Sequence, residues 1–169
     1  EHAQIELREN LDEIAEGLRR NLAIFHGIPA IVGRDPDIIA ALRQGVGKRA
    51  TPDLPRERYR DWLLTHSAIV SIDRKLKAAT EDVRALSVVW IMNRDGDAIA
   101  SSNFDTADSF AGTNYADRSY FREAMGGRLG QQYALGRRTN IPGLFFSAPI
   151  VVDGQVIGVP IQIETTMLY

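Results

Sequence analysis

The chain has 169 residues, of which 44% are apolar and 25% charged, enough for one ordinary packed domain. Its formal net charge of −2 argues against a general nucleic-acid binder, because such proteins carry a basic excess. The absence of cysteine excludes disulfides, thiolate catalysis and zinc–thiolate sites. No apolar run approaches the roughly 18 residues that a membrane-spanning helix needs.

The N-terminal part of the chain predicts helices. Asp35 followed by Pro36 is typical of an N-cap, and Gly45 and Gly47 then end this second helix. Before it, apolar residues recur every three or four positions and form the stripe of one long amphipathic helix. The stripe consists of Leu7, Leu11, Ile14, Leu18, Leu22 and Phe25.

A third helix is predicted to begin near Pro55. Its inner face is predicted to hold Tyr59, Trp62, Leu63, His66, Ile69 (or Val70) and Leu76. We interpret residues 1–80 as a helical region integral to the domain, and residues 81–169 as the part that builds a sheet and its pocket.

After Arg84 the apolar pattern changes to that of β-strands. "LSVVWIMNRDGDAIASSN" predicts a hairpin that turns at Asp95-Gly96, and "LFFSAPIVVDGQVIGVPIQIE" predicts another that turns at Asp153-Gly154. "GQQYALGRRT" is a candidate strand, and a short helix is predicted near residues 117–125. Helices followed by hairpins indicate an α+β domain with an antiparallel sheet of about five strands.

Positive charge is concentrated in residues 115–140, where five arginines stand against two acids. The arginines are Arg118, Arg122, Arg128, Arg137 and Arg138. Their planar forks of donors suit carboxylate or phosphate, and Tyr115, Tyr120 and Tyr133 add hydroxyl donors. This segment therefore predicts a site for a small anion, with Arg118 between two tyrosines as its anchor. Solvent contact is the simpler interpretation for Arg122, Arg128 and Arg138.

The sequence offers no catalytic or metal-binding pattern. It has no GxSxG, HExxH or phosphate-binding glycine loop. His2, His26 and His66 are far apart and lack the spacing of metal ligands. We therefore expect a non-catalytic domain with no catalytic residue, metal or cofactor.

An ordered set of motifs resembles one known family. The motifs are "DGDAIASSN", "DSFAGTNYADRSYFREAMGGRLGQQYALG", "PGLFFSAPI" and "GQVIGV". Together they resemble the Cache-type (PAS-like) extracytoplasmic sensor domains of bacterial membrane receptors, and most closely those of sensor histidine kinases related to the C4-dicarboxylate sensors. The resemblance covers nearly the whole chain.

The resemblance implies an architecture and a cellular setting. A long N-terminal helix follows a transmembrane segment, and a sheet of about five antiparallel strands carries a ligand pocket under the segment after its second strand. The domain is then the periplasmic part of an inner-membrane histidine kinase, flanked by transmembrane helices outside this sequence and paired as a homodimer through the first helix. It is either a lone module or the membrane-distal part of a double Cache module.

The resemblance also implies site residues. In dicarboxylate-sensing relatives an "NYxxRxYF" pattern holds the ligand carboxylate, and here it matches Asn114, Tyr115, Arg118, Tyr120 and Phe121. Groups after the "YALG" strand and in the "FSAP" strand also contribute in those relatives. The expected ligand-binding residues are therefore Tyr115, Arg118, Tyr120, Tyr133, Gly136, Arg137, Ser147 and Ala148.

Two departures from the family bear on the ligand. Amino-acid-binding relatives tend to have tryptophan where this chain has Tyr120, and Ile163 stands where dicarboxylate sensors often have lysine and amino-acid sensors aspartate. Strand alternation places Glu164 on the opposite face from Ile163. We expect a small organic acid, with Arg137 available to a second carboxylate if its side chain points inward. Two alternatives stay open: a dimerisation or scaffold domain without ligand, and the Cache domain of a chemoreceptor or diguanylate cyclase that binds an amino acid.

Overall fold

The computed structural model describes residues 2–82, 88–138 and 140–164. The helices in these ranges are α1 (His2–Val32), α2 (Pro36–Arg43), α3 (Arg56–Leu63), α4 (Ser67–Asp82) and α5 (Ser119–Met125). The strands are β1 (Val88–Asn93), β2 (Ala98–Ser101), β3 (Gly130–Leu135), β4 (Pro142–Ser147), β5 (Ile150–Val152) and β6 (Gln155–Glu164). No helix in the described ranges combines the length and the apolar character needed to cross a membrane.

Helix α1 has two halves in different surroundings. Leu7, Leu11 and Ile14 in its first half are 56–60% exposed, so this half of the predicted stripe faces solvent. Farther along, α1 packs on β4 and β6. The remaining members of the stripe, Leu18, Leu22 and Phe25, have side chains outside the described part of the structure.

The predicted start of α2 is confirmed. The Asp35 carboxylate accepts hydrogen bonds from the amides of Asp37 (2.9 Å) and Ile38 (3.2 Å), and Pro36 occupies the first helical position. This carboxylate satisfies two amides that lack partners within the helix.

The predicted third helix is divided in two, and this is a correction. Helix α3 ends at Leu63 and α4 begins at Ser67. The hydroxyl of Thr65 donates to the Trp62 carbonyl at 2.6 Å, and such local bonds compete with the helical pattern. Tyr59 and Leu63 of α3 face the core, whereas Trp62 is 40% exposed and lies edge-on against His66.

The strands form one antiparallel sheet in the order β2-β1-β6-β4-β3, and β5 also pairs with β6. The sheet has six strands rather than about five, because "LFFSAPIVV" divides into β4 and β5 around Pro149, which has no amide hydrogen to donate. The predicted turn at Asp153-Gly154 is confirmed. Both residues have positive φ, 52° and 76°, as in the tightest hairpin turns.

Alternation along β1 separates the two faces of the sheet. Val89 and Ile91 belong to a core shared with α2, α3 and α4. Trp90 and Met92 point to the other face and belong to a second core beneath α5 and the segment 103–118. Ile161 of β6 is the register partner of Trp90 and continues this second face. The α+β class is thereby confirmed, with the tyrosine–arginine segment lying over one face of the sheet.

Candidate functional site

Five aromatic rings form the centre of the second core. They are Trp90, Phe110, Tyr115, Tyr120 and Phe145, and we call them the aromatic cluster. Trp90 lies 4.7 Å from Phe110 and 5.6 Å from Tyr115 between ring centroids, and Tyr120 stacks on Phe145 at 5.1 Å. Strands β1 and β4 supply two of these rings, whereas the segment 103–118 and α5 supply the others. The cluster therefore joins the sheet to the segment that covers it.

Several polar atoms around this cluster are buried without a hydrogen bond. Among the described residues, no partner exists for Nε1 of Trp90, the Tyr120 hydroxyl or Oε1 of Gln132, and the Tyr115 hydroxyl has only the Thr113 hydroxyl beside it. Buried polar atoms in native proteins are nearly always paired, and each unpaired atom costs about 1–3 kcal/mol. The unpaired atoms around the aromatic cluster make this place a candidate for a polar ligand.

The tyrosine hydroxyls are protonated donors in a positive environment. Burial raises the pKa of Tyr115 and Tyr120 well above the usual value. The charges of Arg137, Arg138 and Arg118 act in the opposite direction on Tyr115. The hydroxyls therefore remain available as donors, and the nearby charges favour an anion beside them.

Arg118 lies at the start of α5 and reaches across to β3. It is the N-cap residue of α5, and its Nη2 donates to the carbonyl of Leu135 at 3.0 Å. Its Nε is buried and has no partner among the described residues. The side chain is thus held in position by one bond and keeps a further donor for a ligand.

Arg137 binds a carboxylate of this chain in the structure, and its contact with a second ligand carboxylate stays a prediction. Its two terminal nitrogens bind both oxygens of Asp117 at 2.8 Å, and Nη1 also donates to the carbonyl of Asn114. The hydrogen bond from Arg137 lowers the pKa of Asp117. Arg137 therefore joins the β3–β4 loop to the segment before α5.

Three further expected site residues have other surroundings. Tyr133 is 62% exposed, because alternation along β3 turns it away from the face that carries the aromatic cluster. The Ser147 hydroxyl donates to the Tyr120 carbonyl at 2.7 Å and so supports α5. Ala148 lies beyond the end of β4, where its amide donates to the Pro160 carbonyl.

Gly136 follows β3 and is buried. Its amide donates to the Ile141 carbonyl at 2.9 Å, and its carbonyl accepts from the amide of Asn140. Its contribution is thus to the shape of the loop that carries Arg137 and Arg138. The structure brings Tyr115, Tyr120 and Arg118 together, whereas Gly136, Ser147 and Ala148 hold the surrounding backbone.

Trp90 belongs to the aromatic cluster and Gln132 borders it, and neither was among the candidate site residues predicted from the sequence. The signal was present in the strand alternation: Trp90 is out of phase with Val89 and Ile91, and Gln132 is out of phase with the exposed Tyr133. Ile163 lies on the same face in the second core, as the register partner of Phe145. The apolar side chain of Ile163 therefore occupies the place where the family resemblance would put a lysine or an aspartate.

Three arginines from the helical side hold the segment that covers the site. Arg49 Nη2 donates to the Gly112 carbonyl at 2.6 Å, and Arg60 Nη2 donates to the carbonyls of Phe104 and Thr106. Arg56 donates to the carbonyl of Ser109. These bonds run from guanidinium groups to backbone oxygens, so the path of the segment depends on the position of α3.

A separate groove of about 480 Å³ lies at another part of the domain. It is formed by the end of α2 and the two hairpin turns, and its lining includes Arg43, Lys48, Arg94 and Asp153. None of the unpaired atoms around the aromatic cluster belongs to its lining.

Comparison with known proteins places these features in a family context. No family model matches the chain. Two curated relatives bear the name C4-dicarboxylate transport sensor protein DctB. The relative from Pseudomonas aeruginosa is 30% identical over 152 residues, which are 90% of this chain and 22% of the relative. The relative from Rhizobium meliloti is 38% identical over 88 residues, which are 52% of this chain and 14% of the relative. The chain therefore matches only about a fifth or less of the length of these proteins.

Solved structures share the fold. The sensor domain of the histidine kinase DctB from V. cholerae has a TM-score of 0.74 at 24% identity, over 94% of this chain and 54% of that one. The extracellular domain of the putative histidine kinase vpHK1S-Z8 has a TM-score of 0.59 at 12% identity, over 95% of this chain and 57% of that one. Together with the two sequence relatives, these findings confirm the predicted class. The chain is a Cache-like (PAS-like) sensor domain of the kind found in the DctB C4-dicarboxylate sensor kinases.

Proposed function

We propose that this domain binds a small carboxylate through Tyr115, Arg118 and Tyr120, as the extracytoplasmic sensor domain of a membrane-bound histidine kinase. The observation that carries the proposal is the set of buried donors without partners beside a guanidinium group. A carboxylate has two oxygens that together accept about four hydrogen bonds. It would satisfy the tyrosine hydroxyls and Nε of Arg118 at once.

The charges around the site favour an acid over an amino acid. Arg118, Arg137 and Arg138 all act on the Tyr115 hydroxyl. Asp117 lies beside this region, but both of its oxygens are bound to Arg137. Ile163 occupies the position in β6 where an acid could have met an ammonium group. A ligand with net negative charge therefore fits these surroundings better than a zwitterion.

The larger protein is proposed from its relatives. The curated relatives are named as sensor proteins, and the similar solved domains belong to histidine kinases. On this proposal the domain itself is non-catalytic and lies in the periplasm, and a kinase module elsewhere in the protein carries the activity. The domain pairs with a second copy through the exposed first half of α1.

Ligand binding is proposed to act through the segment 103–118 and α5. The ligand would fix Arg118, at the start of α5, relative to Tyr120, which already stacks on Phe145 of the sheet. Arg56 and Arg60 of α3 bind the same segment, so a shift there would also act on α3. A ligand biases such a switch only by the difference between its affinities for the two states.

A thermal-shift screen of small organic acids and amino acids, followed by calorimetric titration, tests the proposal. A ligand at 100 times its dissociation constant stabilises the domain by about 2.7 kcal/mol. We expect a carboxylate to be the best ligand. Arg118→Ala should weaken it by roughly 1.5–3 kcal/mol, because a charge-assisted hydrogen bond is lost.

Arg122→Ala is the matched control, because Arg122 lies on the same helix but is exposed. It should leave the affinity unchanged, and circular dichroism should show both variants folded. Equal affinities of Arg118→Ala and the wild type would contradict the assignment of the anchor. Stabilisation by no compound would favour a scaffold domain, and preferential binding of an α-amino acid would refute the proposed ligand class.

A further inference from the structure

Two adjacent glutamines of β3 face opposite sides of the sheet. Gln131 is exposed, whereas Gln132 is half-buried and has Phe145 of the aromatic cluster as its register partner. Tyr120 stacks on the same Phe145 ring. Gln132 thus borders the proposed ligand site. The sequence instead predicts that Tyr133, the next residue of the same strand, binds the ligand.

The neighbours of Gln132 along β3 confirm that its face is covered by α5. A Cβ added at Gly130 would come within 2.7 Å of the Tyr120 carbonyl oxygen, so α5 lies directly over this position. Ala134, two residues beyond Gln132, packs against the second core. Cross-strand partners have Cβ atoms about 4.5–5.5 Å apart, which sets the Gln132 side chain beside Phe145.

In the orientation that the structure gives its amide, Gln132 presents a buried acceptor, and a carboxylate cannot satisfy an acceptor. Oε1 of Gln132 is a buried acceptor with no partner in the described part of the chain. The indole nitrogen of Trp90 can only donate, and the tyrosine hydroxyls can donate as well. An ionised carboxylate brings acceptors alone, so it pairs with these donors but leaves Oε1 of Gln132 unpaired. A ligand that also carries a proton donor would satisfy all of them.

We propose that Gln132 is a specificity-determining ligand contact that accepts a hydrogen bond from a hydroxyl group of a hydroxycarboxylate. This inference rests on the proposed function and refines its ligand class. Arg118 binds the carbonyl of Leu135, three residues along β3 from Gln132, which is about 10 Å at the rise of a strand. The side chains of Gln132 and Arg118 can therefore hold the two ends of one short acid.

A double-mutant cycle between the ligand hydroxyl and Gln132 tests this inference. The probes are malate against succinate and lactate against propionate, since each pair differs by a single hydroxyl group. Calorimetric affinities are measured for the wild type, Gln132→Met and Gln131→Met. We expect Gln132→Met to weaken the hydroxylated member of a binding pair by about 3- to 10-fold, as the loss of one net hydrogen bond implies. The member without the hydroxyl should change by less than about 2-fold.

Gln131→Met makes the same substitution on the other face of the same strand and should alter neither affinity. An equal loss for both members of a pair would overturn the inference, because it would mean that Gln132 acts on the carboxylate or on the fold. No loss for either member would overturn it as well. If succinate binds through Arg118 and is indifferent to Gln132 while malate binds no better, the proposed function stands and only this inference fails. If none of the four acids binds the wild type, this inference fails, whereas the proposed function is decided by the wider screen of organic acids.

Discussion

Asp73 places a carboxyl group inside the larger core, between α4 and β2. Its side chain is 1% exposed, and Oδ1 accepts a 2.8 Å hydrogen bond from the amide of Ser101. Burial raises the pKa of Asp73 to about 7, although the hydrogen bond from Ser101 acts against this, and the charge of Asp105 raises it further. This side chain therefore changes its charge near neutral pH.

The contribution of Asp73 to the stability of the domain should fall as the pH rises from about 4 to 7. The folded state holds the Asp73 proton to higher pH than the unfolded chain does. The stabilisation from protonated Asp73 is therefore complete below the pKa of the unfolded chain, and it is lost as the pH rises through the pKa of the folded state. The loss is at most about 4 kcal/mol, from 1.36 kcal/mol per pKa unit. Asp73→Asn should remove this slope and be more stable than the wild type at pH 8, because Asn can still accept from Ser101.

Urea unfolding from pH 5 to pH 9 measures this dependence. Profiles of the wild type and Asp73→Asn that run parallel over the whole range would contradict the prediction.

At the scale of elements, a buried ion pair connects the helical layer to the first hairpin. Arg49 Nη2 lies 3.1 Å from Asp97 Oδ1, and both side chains are largely buried. Asp97 also accepts from Asn114 at 2.9 Å, and Arg49 donates to the Gly112 carbonyl. The pair therefore holds three parts of the chain together: the loop after α2, the turn of the first hairpin and the segment over the site.

Breaking this pair from one side should be costly. Arg49→Met leaves Asp97 buried without its cation, and such a loss typically costs about 3–5 kcal/mol. Asp97→Asn in the same chain removes the stranded charge, so the double variant should recover part of the stability. Chemical unfolding of the two single variants and the double variant measures the coupling. Strictly additive effects would show that the two side chains do not act as a pair.

At the scale of the whole molecule, the first half of α1 stands clear of the domain. Ile5, Leu7, Leu11 and Ile14 are 52–60% exposed. Leu7, Leu11 and Ile14 form one stripe along the helix, and a second copy of the same helix could bury it, whereas Ile5 lies on the other side of the helix. This exposure is the observation that supports the proposed homodimer.

Sedimentation equilibrium of the isolated domain tests the proposed pairing. The wild type should self-associate as its concentration rises, and replacement of Leu7, Leu11 and Ile14 by Ser should abolish this without changing the fold. Val151→Ser removes an equally exposed apolar side chain from β5 and should have no effect. A wild-type domain that stays monomeric at high concentration would refute the prediction that α1 alone pairs two copies of the domain.

Local patterns were sufficient to predict much of the architecture. The N-cap at Asp35, the hairpin turn at Asp153-Gly154 and the α+β class are confirmed. Each depends on residues that are close in sequence, such as a carboxylate beside free helical amides or a glycine that accepts positive φ. The placement of Arg118 between two tyrosines, within a family pattern, was likewise visible in one short stretch of sequence.

Only the tertiary structure decided which side chains share a surface. Tyr133 and Gln132 are neighbours in the chain, but the pleat of β3 sends one to solvent and the other toward the aromatic cluster. Arg137 had the chemistry of an anion site, yet a carboxylate 20 residues away binds it on both nitrogens. The sequence by itself determined the elements and the donors beside Arg118. Strand register and long-range pairing determined which of these donors stay unpaired, because both depend on contacts between residues that are distant in the chain.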